Sequence, residues 1–218
     1  MPLSSLPKVP EDDTWNMAYV SRDPSSGRVA IDLQHRTFTG ITDLWHPVSV
    51  DCLELKKIKQ LTATAYEATY PYDGSSATTR SPVVIAKVAR FEWEIPRLSR
   101  ETLVYRSLEN TGLAPRFIGH VHEHGRVIGF ILEKLQGREA NINDLSSCQS
   151  ALQRLHDIGI HHGDVNRYNF IVQDDTVLLI DFEKSQLHDS TTTCMQVEMD
   201  SLRDQLMEDT GRGAGLAR

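Results

Sequence analysis

Long apolar runs and a surplus of basic charge are both missing from this chain of 218 residues. No stretch approaches the ~18 apolar residues that a membrane-spanning helix needs, and the first seven residues hold no apolar core for a signal peptide. Lysine and arginine number 23 against 30 acidic residues, which gives a net charge of −7 without a basic run to grip a nucleic-acid backbone. We therefore expect no membrane span and no nucleic-acid partner.

Cysteine is scarce as well. Cys52, Cys148 and Cys194 are scattered along the chain and form no Cys-x2-Cys pair. This usage is typical of reduced thiols in a reducing compartment, so we expect a cytoplasmic protein. The chain also lacks the Gly-x-Ser-x-Gly turn of many serine hydrolases, which argues against that chemistry.

The order of apolar patterns predicts a β-rich first half and a helical second half. Residues 1–45 form a polar, proline-containing arm with a possible lone strand over 28–33. Further strands are expected over 52–61, 64–70, 83–88, 117–123 and 126–135. Helices are expected over 94–109, over 143–159 with an inward stripe that ends at Ile158, and around 195–206.

One lysine and one glutamate stand where apolar residues would be expected. Lys87 lies inside the β-branched run 83–88, and Glu101 falls on the inward stripe of the next helix with Leu98, Tyr105 and Leu108. A buried carboxylate without a partner is unfavourable, so the two residues are expected to pair. An edge strand whose lysine reaches water is the alternative, and Glu92 and Glu94 are rival partners.

Three polar groups lie at the ends of one expected hairpin. Its strands, 169–172 and 176–180, bring together Asp164, Asn169 and Asp181. A carboxylate that orients a hydroxyl, together with an amide and a second carboxylate that offer oxygens to magnesium, is what phosphoryl transfer requires.

The sequence His-Gly-Asp-Val-Asn-Arg-Tyr-Asn at 162–169, followed by Asp181-Phe182, resembles the catalytic and metal-binding loops of the protein-kinase-like fold. With Gly163 where protein kinases usually carry arginine, it looks like the aminoglycoside phosphotransferase, choline kinase and lipopolysaccharide (Kdo) kinase branches. The resemblance implies ATP and Mg²⁺ as cofactors, Asp164 as the catalytic carboxylate, and Asn169 and Asp181 as metal ligands.

The resemblance also gives roles to residues outside these loops. It implies that Lys87, held by Glu101, contacts the nucleotide phosphates, and that the backbone from Glu133 to Leu135 binds the adenine. His162 is expected to anchor the loop by a hydrogen bond to backbone near Asp181.

Three departures from the resembled pattern argue for an atypical, minimal kinase fold. Residues 60–66 lie where a glycine-rich phosphate loop is expected, yet they contain no glycine. Glu183 follows Asp181-Phe182 in place of glycine, and only about 35 residues follow Asp181, too few for the helical subdomain of ordinary protein kinases. Asn166 stands where Ser/Thr protein kinases usually carry lysine, which favours a small-molecule substrate over a protein.

Three alternating histidines offer a competing interpretation. His120, His122 and His124 share one face of a predicted strand, a spacing that can bind zinc. Because no further ligand is evident, we expect exposed histidines on a half-solvated strand.

The sequence therefore predicts an α+β, two-lobed protein-kinase-like fold with a reduced C-terminal lobe. Its expected parts are an arm over 1–45, an N-lobe over 46–135 and a C-lobe over 136–218. The expected function is an ATP- and Mg²⁺-dependent phosphotransferase acting on a hydroxyl, of a small molecule rather than a specific protein. A pseudokinase and a kinase-like scaffold reused for another reaction remain the alternatives.

Overall fold

A computed structural model describes residues 8–12, 14–70, 82–188 and 193–211. The chain divides into two compact units, residues 1–39 and residues 40–218. The domain boundaries expected at 45/46 and 135/136 stay predictions. Among the described residues, no helix combines the length and the apolar character that crossing a membrane requires.

The first unit contains one antiparallel hairpin, formed by β1 (Met17–Arg22) and β2 (Val29–Gln34). The strand expected over 28–33 is thus present, but the expectation that it stands alone is wrong. Its partner β1 is not predicted from the sequence, because nearly all of its side chains are exposed and show no alternation of apolar and polar residues. The Asp23 carboxylate closes the connection by accepting hydrogen bonds from the backbone N–H groups of Ser25 and Ser26.

A six-stranded sheet forms the first half of the second unit. Its strands in chain order are β3 (Ser49–Asp51), β4 (Lys56–Gln60), β5 (Ala65–Thr69), β6 (Val83–Val88), β7 (Phe117–Glu123) and β8 (Arg126–Glu133). Their spatial order is β3-β7-β8-β6-β5-β4, and all neighbours are antiparallel except the parallel pair β3 and β7. The strand β6, which carries Lys87, is therefore central and not an edge strand.

The strand expected over 52–61 is shorter in the structure. Residues Cys52–Glu54 form a 3-10 turn, because the Asp51 carboxylate accepts the backbone N–H of Leu53 and bends the chain there. The remaining strand β4 contains a bulge between Lys57 and Lys59, which explains why its apolar alternation is broken.

Helix α1 (Ile95–Ser107) follows a 3-10 turn over Glu92–Glu94. The carboxylate of Glu94 accepts the backbone N–H groups of Arg90 and Phe91, so this residue starts the helix and does not pair with Lys87. The predicted inward stripe of the helix is confirmed, since all four of its residues are buried: Leu98, Glu101, Tyr105 and Leu108. The helix packs on β8, where Tyr105 contacts Phe130 with ring centroids 5.6 Å apart.

The second half of this unit surrounds the predicted catalytic loop. Helix α2 (Leu145–Asp157) and helix α3 (Thr193–Met207) pack on each other. The prediction that Ile158 faces inward is wrong, because α2 ends at Asp157 and the Ile158 side chain is 44% exposed. The remaining strands are β9 (Arg138–Glu139), β10 (Ile160–His161), β11 (Phe170–Gln173), β12 (Thr176–Leu179) and β13 (Gln186–Leu187). They form a sheet of order β12-β11-β9 and the antiparallel pair β10-β13. The described residues thus form a mixed α/β structure with several sheets and three α-helices.

Candidate active site

Lys87 makes the central contact of the candidate site. Its Nζ lies 2.7 Å and 2.9 Å from the two carboxylate oxygens of Glu101 and 2.5 Å from Oδ1 of Asp181. Lys87 is 7% exposed and Glu101 is fully buried. The strand that carries Lys87, the helix that carries Glu101 and the segment after β12 therefore meet at one ammonium group.

The charges of this cluster shift one another's titration. Burial would lower the pKa of Lys87, but the attraction of Glu101 and Asp181 raises it above its ordinary value. Burial raises the pKa of Glu101 to about 7, because it outweighs the attraction of Lys87 and because Asp181 repels the second negative charge. For Asp181, the attraction of Lys87 overcomes burial and lowers the pKa. Lys87 therefore favours the ionised form of Asp181.

The segment after Asp181 is tied to helix α1. Asp181 adopts a positive φ of 66°, and the next backbone N–H, from Phe182, donates to Oε1 of Glu101 over 3.2 Å. The Phe182 ring packs edge-on against Tyr105, with centroids 5.3 Å apart. Glu183 contacts Nε of Arg97 at 3.3 Å. The acid that replaces the usual glycine is thus engaged with the helix.

Asn169 and Asp164 are joined through the backbone. Asn169 ends a 3-10 turn over Arg167–Asn169, so the expected strand begins one residue later, at Phe170. Its Nδ2 donates to the carbonyl of Asp164 over 2.9 Å, and its own carbonyl accepts the N–H of Ile180 over 3.0 Å. The Asp164 carboxylate lies 3.0 Å from Nζ of Lys184 and is 32% exposed. Asp164 therefore stands at the protein surface with a cation beside it.

His162 makes the hydrogen bond to backbone near Asp181 that the sequence predicted. Its Nε2 lies 3.1 Å from the carbonyl oxygen of Ile180, directly before Asp181, and its own carbonyl accepts the hydroxyl of Ser185. Burial lowers the pKa of His162, so the ring is neutral and donates from Nε2.

Gly163 has a steric role beside this anchor. Its φ is +80°, and a Cβ placed there would lie 2.5 Å from the carbonyl oxygen of Lys184. The close approach of the two loops requires a residue without a side chain. The close packing against Lys184 therefore explains why glycine, and not the arginine usual in protein kinases, stands at position 163.

Glu198 is a site residue that sequence reasoning missed. Its carboxylate accepts the backbone N–H groups of His162 (3.1 Å) and Gly163 (2.7 Å), and it lies 2.8 Å from Nε2 of His156. Burial opposes ionisation, but the His156 hydrogen bond and these other contacts lower the Glu198 pKa. The inward stripe of α3 runs Met195, Glu198, Leu202 and Leu206, so a carboxylate inside an apolar helical stripe was the signal that could have found it.

Glu133 and Leu135, expected at the adenine site, lie at the end of β8 and just beyond it. The N–H of Glu133 donates to the carbonyl of Arg116 over 2.9 Å, and its side chain is about half exposed. Leu135 is half-buried in the irregular segment before β9.

The turn between β4 and β5 lies where the resemblance predicts a glycine-rich loop. The N–H groups of Leu61 and Thr62 donate to the carbonyl of Ala65, over 2.9 Å and 3.0 Å. The Gln60 amide donates to the carbonyls of Thr62 and Ala65, and the Thr62 hydroxyl accepts the N–H of Ala65. Hydrogen bonds made by the side chains of Gln60 and Thr62 therefore stabilise a tight turn, called here the β4–β5 corner.

The histidines of β7 differ from expectation. His120 is only 2% exposed, so the prediction of an exposed residue is wrong there, while His122 is half-buried and His124 is exposed. A shift in register between Val121 and His122 breaks the alternation that would have placed all three on one face. Burial, together with the nearby His46, lowers the pKa of His120 to about 4.

A cavity of about 530 Å³ opens beside Asp164. Its wall carries polar groups from the predicted catalytic loop and from helix α3, among them Asn166, Ser201 and Gln205. The space is of the size that binds a small molecule, and it lies next to the predicted catalytic carboxylate.

Comparison with known proteins adds one match. Residues 133–214 match the family model of the Lipopolysaccharide kinase (Kdo/WaaP) family. The predicted resemblance to an atypical kinase-like family is thereby confirmed. The matched range contains Asp164, Asn169 and Asp181 and begins after Lys87 and Glu101. A search of curated proteins found no match. The matched family is one of lipopolysaccharide kinases, and the mixed α/β structure is compatible with a kinase-like fold.

Proposed function

We propose that this chain is a two-lobed, protein-kinase-like enzyme that transfers the γ-phosphoryl group of ATP to a hydroxyl of a sugar-like small molecule. The observation that carries the proposal is the contact of one buried ammonium, Lys87, with both Glu101 and Asp181. A buried lysine between two carboxylates is suited to receive phosphate oxygens, because its charge is already fixed in place.

In this proposal Lys87 contacts the nucleotide phosphates while Glu101 holds it. The adenine would bind the backbone that follows β8, between Glu133 and Leu135. Since the N–H of Glu133 is already bonded to Arg116, the adenine would rely on the backbone after Glu133.

Mg²⁺ would bind to oxygen atoms of Asp181 and Asn169. Lys87 contacts Oδ1 of Asp181, and Asn169 uses its nitrogen to bond Asp164, so Oδ2 of Asp181 and Oδ1 of Asn169 are the donors for a hard cation. This donor set fits Mg²⁺, which when bound would neutralise charge on the phosphates.

Asp164 would orient the acceptor hydroxyl and accept its proton. Its partial exposure and the adjoining cavity support this role, because an acceptor in the cavity can reach the carboxylate. Lys184, 3.0 Å away, supplies a positive charge beside the site of transfer. The polar cavity wall favours a ligand rich in hydroxyl groups over an apolar one.

A pseudokinase is the second candidate function. The tight, glycine-free β4–β5 corner favours it, because the flexible phosphate cover of active kinases is replaced there. The same charged cluster would then bind nucleotide without turnover.

Thermal unfolding with ATP, ADP and Mg²⁺, added singly and together, separates these functions. We expect the unfolding midpoint to rise only when nucleotide and Mg²⁺ are both present. A rise with nucleotide alone would favour the pseudokinase, and no rise in any mixture would contradict nucleotide binding altogether. ATP consumption with a panel of sugars then tests turnover.

A further inference from the structure

Two histidines and a cysteine converge next to the cavity. One ligand atom each of His161, His188 and Cys194 lies within 4.8 Å of the other two, and all three residues are half-buried. The distance from Nε2 of His188 to Sγ of Cys194 is 4.0 Å. The three residues come from three separate segments of the chain, so their meeting is a product of the fold.

The backbone fixes this convergence. His161 in β10 pairs with Gln186 in β13, and the N–H of His188 donates to the carbonyl of Gly159 over 2.7 Å. Because side chains alternate along a strand, His188 shares a face with Gln186 and therefore with His161. The two imidazole rings lie 6.3 Å apart between centroids. Cys194 enters from the first turn of α3.

Glu198 lies beside one ring nitrogen of His161. Its Oε1 lies 3.5 Å from Nε2 of His161, while Nδ1 of that ring is buried and makes no hydrogen bond among the described residues. Metal-binding histidines commonly donate one ring N–H to a carboxylate and coordinate through the other nitrogen. His161 has a carboxylate near Nε2 and an Nδ1 that is open to coordination, which is compatible with this arrangement.

We propose that His161, His188 and Cys194 bind one Zn²⁺ ion. A thiolate and two imidazoles are soft and borderline ligands, which favour zinc and disfavour magnesium. Tetrahedral zinc with bonds of about 2.1 Å to nitrogen and 2.3 Å to sulfur separates such ligands by about 3.6 Å. The distance between His188 and Cys194 needs to shorten by about 0.4 Å, and the other separations by at most about 1.2 Å, for these atoms to coordinate one ion.

The zinc joins two segments that border Asp164. His161 lies three residues before this carboxylate, and His188 lies four residues after Lys184, its partner. The strands β10 and β13 that hold these histidines pair over only two residues each. A metal ion therefore adds a cross-link where the backbone pairing is short. With three protein ligands, the fourth position is left to water or to a molecule in the cavity, whose wall includes His161 and Cys194.

The test titrates Zn²⁺ into the full chain after treatment with a chelator and a thiol reductant. We expect one zinc per chain in competition with a chromophoric chelator, and no displacement by millimolar Mg²⁺. Co²⁺ in place of zinc should give a thiolate-to-cobalt charge-transfer band and the visible bands of a tetrahedral ion. Failure to bind zinc, or cobalt spectra without thiolate character, would overturn the proposal.

Matched variants locate the site. Cys194→Ser and His188→Gln should each weaken zinc binding at least about 100-fold, since loss of even a supporting partner of a metal ligand costs 10- to 100-fold. Cys52→Ser and His122→Gln change residues of similar burial outside the cluster and should leave the affinity unchanged.

Equal weakening by the control variants would identify nonspecific thiol or imidazole binding and reject the site. Far-ultraviolet circular dichroism of the metal-free proteins checks folding. If both ligand variants fail to fold, the cobalt charge-transfer band of the Cys52→Ser protein decides: its presence supports the site and its loss overturns it. This site does not depend on the proposed phosphotransferase activity, because Mg²⁺–ATP binding would require Asp181 and zinc would require Cys194.

Discussion

Glu101 accepts the backbone N–H of Phe182 over 3.2 Å, so the residue that holds Lys87 also holds the segment next to Asp181. A displacement of helix α1 would therefore move Lys87 and Asp181 together. Lys87, Glu101, Asp181 and the backbone of Phe182 are thus linked by direct contacts. A substitution of Lys87, Glu101 or Asp181 should therefore affect stability as well as function.

Lys87→Met tests this coupling. The variant leaves Glu101 and Asp181 without their shared cation, and removal of one partner from a buried ion pair costs about 3–5 kcal/mol of unfolding free energy. We expect a loss near that size in urea unfolding, with ATP turnover reduced by orders of magnitude. Lys59→Met, at an exposed position of the same sheet, serves as the control. Equal stability of the two variants would contradict a structural role for Lys87.

Asp164→Asn and Asp181→Asn should fail in different ways. An orienting carboxylate acts mainly in the transition state, so Asp164→Asn should abolish turnover and leave nucleotide affinity nearly unchanged. Asp181→Asn removes a carboxylate from the proposed metal site and should abolish the dependence of nucleotide binding on Mg²⁺. Calorimetric titration of ATP with and without Mg²⁺ measures both effects. Identical behaviour of the two variants would reject the separate roles.

Gly163→Ala should destabilise the catalytic loop. The new Cβ meets a positive φ, which costs about 1–2 kcal/mol, and also the Lys184 carbonyl at 2.5 Å. Gly125→Ala is the matched control, because Gly125 has a similar φ of +79° and open space around it. We expect a larger loss of unfolding free energy at Gly163 than at Gly125. Equal losses would mean that the loops separate without cost.

Glu198→Gln tests the support of the catalytic loop. The amide keeps one acceptor oxygen where the carboxylate served two backbone N–H groups and His156, so we expect a loss of about 1–3 kcal/mol in stability. A slightly displaced Asp164 should lower kcat by about 10- to 100-fold with little change in KM for ATP. Asp200→Asn, on the exposed side of α3, is the control. A change confined to KM would point to nucleotide binding instead.

His120 should make stability depend on pH. Its pKa is about 4 in the folded protein and about 6.5 when unfolded, so between these values the unfolded chain binds more protons. The resulting stabilisation is complete above pH 6.5 and falls as the pH drops towards 4. Between pH 7 and pH 5 this residue should account for a loss of about 2 kcal/mol.

The His120→Gln variant isolates that contribution. Urea unfolding at pH 7, 6 and 5 should show a weaker pH dependence in the variant than in the parent protein, whatever its stability at pH 7. Parallel pH profiles would assign the acid sensitivity to other groups.

The sequence was informative where one residue broke a local pattern. Lys87 and Glu101 interrupt apolar stripes of a strand and a helix, and both are buried in the structure. Glu198 interrupts a stripe in the same way, but the periodic positions Met195, Met199 and Leu202 concealed it. Met199 is in fact only half-buried.

The contacts between distant segments could not be predicted from local patterns. Two such contacts join Lys184 to Gly163 and His188 to Cys194. They depend on how the loops pack, and the apolar periodicity of strands (2 residues) or helices (3.6 residues) carries no information about loop packing. Strand β1 was missed for the opposite reason, because it buries too little to leave a pattern.

The β4–β5 corner bears on how long a nucleotide would remain bound. A flexible flap closes over phosphates and delays their escape, whereas Gln60 and Thr62 hold this corner by hydrogen bonds to its own backbone. Exchange of nucleotide would then be fast relative to chemistry, and water would reach the phosphates unless another group displaced it. Under the proposed function, an acceptor bound in the cavity beside Asp164 would have to displace that water, so the choice of acceptor would depend on how well it excludes water from the phosphates.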